Sequence, residues 1–386
     1  MFYRGVVQDE GKKEVVKTLF FFSHRSHNDI FNGTSVYDGE LLRMLESEFK
    51  LNFVEPDFGS KDRNRTSDLN FKSLVSLLFR VYIKQLKWYF INLKCRDHRK
   101  TEKMMMLVED IYSSPIPLII SIVYDVKFIY RAADFGKAYY NTLSIKNKIF
   151  KLFYPLTRRV LEHFVIKKAT IIICPSQRTR EDIILKYDNL ESKVIVLPYV
   201  KKEKKVNVEM KSVKDAVSKV NVVLLGDYRY PPNHLAAKFV LDNVVDKLKS
   251  DEESFNLYVV GPTSDLLLKS SHKSVKILGP LKDLDDILLR SHIGLAPTTT
   301  VGGLSMKIVD YLVNGLRVIA TQEASAGIVP NSQLKVVPLK DFSQAIDAEI
   351  SDLLQNGFNR YISLEVIEEY MSDKWEKNLV AKLKKV

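Results

Sequence analysis

The feature that most limits the fold is an alternation, sustained along nearly the whole chain, of short apolar runs with longer stretches of helical periodicity. Residues 17–23, 51–54, 104–108, 127–131, 170–174 and 193–197 form one series of runs rich in Val, Ile, Leu and Phe. Runs without polar alternate positions suit strands buried on both faces, as in a parallel sheet covered by helices. A helix opens at Ser114-Pro115, a cap residue followed by proline at the first helical position. Another opens at Ser176, with Arg180, Glu181 and Asp182 in its early turns. Pro155 is expected to kink or divide the helical stretch 141–168. A second series of strands follows at 222–225, 257–260, 275–278, 293–296 and 317–320. Its helices are expected at 233–248, 284–290 and 304–313, with terminal helical patterns around 342–354 and 364–384.

A chain of 386 residues exceeds what one core usually serves, so two series imply two domains. Residues 201–219, almost entirely polar, read as a linker and lead-in between them. An apolar share of 46% is ample for two cores and excludes wholesale disorder. The longest apolar runs fall far short of the ~20 residues a membrane span needs, and the start lacks an apolar run for a signal peptide. Cys95 and Cys174 offer neither a disulfide framework nor metal spacing, which fits a reducing, cytoplasmic setting.

The net charge of +12 is unevenly spread. Residues 1–200 carry 33 Lys/Arg against 23 Asp/Glu, and residues 61–103 alone carry 12 against 4. Such a surface attracts phosphate on lipid, nucleic acid or a phosphorylated acceptor. A solvated, lysine-rich face is the competing reading.

The most informative stretch is 294–321, a strand, a Thr/Gly loop, a helix and another strand. In an open parallel sheet, ligands bind where strand C-termini feed into helix N-termini. Gly302 and Gly303 let backbone amides approach a pyrophosphate, and the helix from Leu304, through Ser305, directs its positive end there. Lys307 and Asp310, three residues apart, share a helix face. The lysine suits a phosphate or a donor hydroxyl; the carboxylate suits ribose hydroxyls. A glycine turn followed by an ordinary surface ion pair is the plainer alternative.

This stretch resembles the group-1 (family 4) glycosyltransferases: small apolar strand, Pro, Gly-rich loop, Lys, apolar pair, acid, Leu, Gly, then a Val-rich strand and Thr. Val223-Leu-Leu-Gly226 with Tyr230-Pro-Pro-Asn233, Tyr258-Val-Val-Gly261 and Val275-Lys-Ile-Leu-Gly279 extend the resemblance upstream. It implies an α/β GT-B fold of two doubly wound Rossmann-like domains facing across a cleft. Residues 1–200 would form the acceptor-side domain and 220–365 the nucleotide-sugar-binding domain. Residues 366–386, with Trp375, would form a helix crossing back to the first. The resemblance further implies Gly226 and Arg229 near the diphosphate, although Arg229 suits an exposed position equally well. One departure stands out. Relatives mostly carry an acid-x7-acid pair; Asp310 fits the second position, but Gly302 replaces the first acid, which leaves open how the sugar hydroxyls are held.

In the first half, 128–135 (FIYRAADF) resembles a strand end where relatives keep His-Asp. Histidine is missing, leaving Asp134 as candidate catalytic or acceptor-orienting carboxylate, with a helix N-cap as the alternative. The loop 23–34 ends in Gly33-Thr34, candidate cleft residues; His24 and His27 suit proton transfer or plain exposure. Glu162 and Ser176 read as structural. Residues 71–93 read as a helix with a basic stripe and a broad apolar remainder, either packed on the sheet or docked at an anionic membrane with 94–103.

The resemblance implies retaining transfer of a sugar from a nucleoside-diphosphate sugar to a lipid-linked, glycan or other hydroxyl acceptor, with no cofactor and no metal. Expected partners are the sugar nucleotide and an anionic membrane or lipid-linked acceptor through 71–103, which places the chain in the cytoplasm and at the membrane periphery. A GT-B fold that binds ligand with little turnover is the alternative, motivated by Gly302 and the absent histidine. Nucleic acid is not expected as a partner, because the aromatics of 71–103 lie on the apolar face instead of alternating with the basics. A dinucleotide dehydrogenase is disfavoured because Gly226 is followed by Asp-Tyr-Arg-Tyr, without G-x-G-x-x-G.

Overall fold

The computed structural model describes residues 17–22, 33–54, 81–89, 104–111, 113–133, 135, 148–201, 216–300 and 303–386, with backbone only for 33–38 and 148–155. In the first half, β1 (Thr18–Phe22), α1 (Gly33–Glu46), β2 (Lys50–Val54) and a helical stretch over 81–89 precede β3 (Met104–Val108) and α2 (Pro115–Val123). Then come β4 (Lys127–Arg131), α3 (Lys148–Lys168), β5 (Ile171–Cys174), α4 (Gln177–Lys186) and β6 (Val194–Val196). The second half runs β7 (Val220–Leu225), α5 (Pro231–Phe239), β8 (Phe255–Val260), β9 (Val275–Gly279), α6 (Asp285–Arg290), β10 (Ile293–Ala296), α7 (Met306–Val313), β11 (Arg317–Ala320) and β12 (Leu334–Val336). It closes with α8 (Phe342–Asn356), α9 (Leu364–Tyr370) and α10 (Lys374–Lys385).

The strands form two six-stranded sheets, ordered β2-β1-β3-β4-β5-β6 and β12-β11-β10-β7-β8-β9, with every pairing parallel. Every residue of β3 and β5 is buried, as strands covered on both faces require. On one face of the first sheet, Leu19 and Phe21 meet Leu41 and Leu45 of α1 and Leu379 and Leu383 of α10. That cluster continues into the second domain through Ile308, Leu312 and Val366. The opposite face holds Phe20 and Phe22 under the 81–89 stretch, α2, α3 and α4. The far face of the second sheet is covered by α5 and α8.

Ser176 caps α4 as expected, its Oγ accepting the Thr179 amide at 3.2 Å. Ser114 precedes Pro115 at the start of α2, but its hydroxyl donates to the Ile111 carbonyl instead of capping. Pro155 does not divide its helix: α3 runs unbroken from Lys148 to Lys168. Proline removes one N–H from the ladder, and the remaining bonds together with buried Val165 and Ile166 hold the helix continuous. The terminal pattern at 364–384 is two helices, broken at 371–373. The helix foreseen at 233–248 stops at Phe239 and gives way to a π turn and a 3-10 turn.

Candidate active site

The loop before α7 sits where strand C-termini converge. Tyr311 fixes the helix there: its hydroxyl accepts the Leu225 amide at 2.8 Å and donates to the Leu295 carbonyl at 3.3 Å. The chain at Gly261 (φ +137°) passes so close to β7 that a Cβ would stand 1.9 Å from the Gly226 carbonyl oxygen, so no larger residue fits. Gly226 itself donates its amide to Val260 at 3.1 Å. Strand ends and the first turn of α7 therefore share one edge of the second sheet, with Ser305 at the N-cap position.

Lys307 extends from that first turn to Asn233, its Nζ 2.7 Å from the amide oxygen. Lys307 is half-buried, and the lost hydration lowers its pKa to about 8. Asn233 is fixed in turn, donating Nδ2 to the Asp227 carbonyl at 3.1 Å. Arg229 grips the Asp227 carboxylate through both Nε and Nη2, at 2.9 and 2.7 Å. The guanidinium foreseen near the diphosphate is thus engaged by a neighbouring acid two residues away.

Asp310 shares the helix with Lys307 yet meets a different partner: Lys201 Nζ lies 3.5 Å from its carboxylate. Lys201 also stands 5.1 Å above the Tyr199 ring, and its amide donates to Tyr370 at 2.8 Å. Burial, reinforced by Asp310, pushes the Tyr199 phenol far up. Across the cleft, Gly303 (φ +61°) approaches the first domain so closely that a Cβ there would lie 2.5 Å from the Ala133 carbonyl oxygen. The loop of one domain therefore meets the extension of β4 in the other, the two regions singled out independently from sequence. Leu304 is half-buried beside it.

Gly302 and Asp134 lie outside the described residues, as do His24 and His27. Gly33 and Thr34 open α1, described for their backbone alone. Glu162 is buried and accepts Lys186 Nζ at 2.5 Å, a structural pair, and Cys174 is buried with its thiol pushed up to about 12. Among the described residues, no group of three His, Cys, Asp or Glu converges as a metal site. Asp283 instead accepts the Asp285 amide at the start of α6. From sequence, Asn233 reads only as part of a Pro-Asn helix start and Lys201 only as the first residue of the polar lead-in. Asn233 was visible as the residue after Tyr230-Pro-Pro; Lys201 carried no local signal.

Residues 219–356 match the family described as Glycosyl transferases group 1. The second domain is similar to the group 1 glycosyltransferases. No curated protein sequence matches the chain. Solved structures show the fold of the whole. Sucrose-phosphate synthase from Thermosynechococcus elongatus superposes with TM-score 0.67 at 13% identity, covering 96% of this chain and 98% of that one. HepE from Anabaena in complex with UDP-glucose gives 0.63 at 12% identity, covering 96% and 100%. A glycosyltransferase from Rickettsia africae ESF-5 gives 0.62 at 15% identity, covering 96% and 99%. The fold is GT-B, and the segment that matches the group 1 family contains Asn233, Lys307 and Asp310.

Proposed function

We propose that the chain transfers a sugar, with retention at the anomeric carbon and without metal, from a nucleoside-diphosphate sugar to a hydroxyl acceptor. The observation that carries this reading is the half-buried Lys307 ammonium beside the N-terminus of α7, at the strand ends of a domain that matches the group 1 glycosyltransferases. Negative charge grows on the departing diphosphate as the glycosidic bond breaks. Amides of Gly303–Ser305, the positive end of α7 and Lys307 would meet that charge, and donors fixed before the reaction lower the barrier directly. Asp310 would take ribose hydroxyls after releasing Lys201. On the acceptor side, the first domain approaches Gly303 at Ala133, and domain closure would align the acceptor hydroxyl, with Asp134 the candidate carboxylate for orienting it. A lipid-linked acceptor is favoured by the basic segment 61–103.

HepE binds UDP-glucose on the same fold, which makes it the first donor to try. The test is calorimetric titration with UDP, GDP and ADP, then proton NMR of the product's anomeric centre in excess chelator. Binding of one nucleoside diphosphate, lost in Lys307→Ala, and a product of retained configuration are expected. Loss of turnover that only a divalent ion restores, or an inverted product, would overturn the metal or the stereochemical part respectively.

A further inference from the structure

The helices covering the far face of the first sheet have two sides, and the outer one is unusual. Inward, Leu118 and Ile120 of α2, Val165 and Ile166 of α3 and Trp88 of the 81–89 stretch join one core with Phe20 and Phe22. These helices are mutual neighbours: Gln85 donates to the Ser113 carbonyl at 2.9 Å, and the Tyr89 and Tyr124 hydroxyls are bonded at 2.7 Å. Outward, α2 presents Ile119, Ile122 and Val123, and α3 presents Leu156, Val160 and Phe164, all between 50% and 62% exposed. The spacing of the α3 residues, four apart, places them on one stripe opposite buried Glu162 and Val165. Leu86 extends the apolar surface onto the neighbouring stretch.

Charge selects what this surface meets. The three helical segments carry eight Lys or Arg and one acid, Glu162, which is buried against Lys186. Lys84, Lys87, Arg159 and Lys167 are exposed among or beside the apolar side chains. Acids border the face at two places: Asp125, exposed just beyond α2, lies 3.9 Å from Lys168 of α3, and α4 exposes Glu181 and Asp182. A nucleic acid would match the charge but not the aliphatic stripe. A second copy of the same face would match the stripe but set cation against cation. Exposed aliphatics with a clear excess of basic over acidic neighbours match one environment, the headgroup boundary of an anionic bilayer.

We infer that the outer face of α2, α3 and residues 81–89 is a docking surface for anionic lipid, seating the first domain on a membrane without any span. It widens the acceptor side of the proposed function from the basic segment to a three-helix face, and it depends on that reading only for what the docked enzyme would reach.

The test uses the full chain with vesicles of phosphatidylcholine alone and of equal parts phosphatidylcholine and phosphatidylglycerol, at low salt. Co-sedimentation with the anionic vesicles is expected, falling about tenfold or more in Ile119→Ser/Ile122→Ser/Phe164→Ser while Leu235→Ser on the second domain changes nothing. Lys84→Gln/Lys87→Gln/Lys167→Gln should weaken binding and flatten its salt dependence, an independent arm should the serine variant fold poorly. Equal binding by wild type and both variants, no binding to either vesicle, or a salt-stable dimer abolished by the serine substitutions would overturn the proposal. Calorimetry with UDP keeps the two readings apart. Nucleotide binding without vesicle binding sinks the docking surface alone, and the reverse sinks the donor site alone.

Discussion

The far faces of the two sheets are covered in the same topological way and finished differently. Over the second sheet, α8 carries Asp347, Glu349 and Asp352, and each finds a partner. Arg317 reaches Glu349 and Asp352 at 2.8 and 2.6 Å, Lys335 reaches Glu349 at 3.1 Å, and Asp347 accepts the amides of Lys249 and Ser250. Over the first sheet, α2 has no charged residue at all, and its outer side is aliphatic. Inner sides are equally apolar in both cases, so sheet burial does not account for the difference. What differs is the medium each outer side is composed to meet: water over the second sheet and, on the docking proposal, lipid over the first.

Substitutions can break that contrast or sharpen it. The largest effect belongs to the backbone around the donor edge. Gly261→Ala would drive a methyl into the Gly226 carbonyl and should cost about 3 kcal/mol or more in urea unfolding. Next comes Lys307. Lys307→Met should weaken nucleoside diphosphate binding by about 1.5–3 kcal/mol, the scale of a charge-assisted hydrogen bond. It should also stabilise the free protein, because the folded pKa of about 8 lies below the unfolded value. The unfolded chain then holds more protons between the two, so wild-type stability rises with pH from about 8 towards 10.5, a rise the methionine variant lacks. Asp310→Ala should weaken nucleotide binding by about 1–3 kcal/mol, less whatever is recovered by freeing Lys201. Unchanged affinity in a folded variant would remove Asp310 from the ribose.

Smaller effects probe the covers themselves. Arg317→Met should cost about 1 kcal/mol, shrinking in high salt, as a half-exposed network does. Ile122→Ser should shift stability by no more than about 0.5 kcal/mol. A cost near that of a core substitution would mean the α2 face is covered, and the contrast between the two sheets would collapse.

Most of the architecture was legible because strands such as 104–108 and 293–296 are apolar at every position, a pattern independent of partners. β12 escaped because Leu334–Val336 is a three-residue edge strand with a polar centre and two exposed positions. The break at 371–373 escaped because helical periodicity resumes directly beyond it. At the site, the glycine loop, lysine and acid were readable as one local motif. Their partners were not: Asn233 lies 74 residues from Lys307, and Lys201 over a hundred from Asp310, distances across which pattern carries no information. Nor does periodicity separate the two sides of a helix as apolar as α2, so only its start at Ser114-Pro115 was readable.

The chain passes between the domains twice, and the passages touch: the Lys201 amide on the outgoing one bonds the Tyr370 carbonyl beside the returning one. Beyond Tyr370, α10 is fastened to the first domain, with Lys384 on Glu48 at 2.6 Å and Lys382 on the Ser192 carbonyl at 3.3 Å. Lys201 and Tyr370, bonded at the ends of the two passages, act as one strap along a single edge. They resist pulling apart and sliding, and they leave rotation about the strap as the soft coordinate. Rotation about the strap is the expected relative motion of the halves, like a door on its jamb, and a spectroscopic ruler spanning the cleft should report one distance that changes.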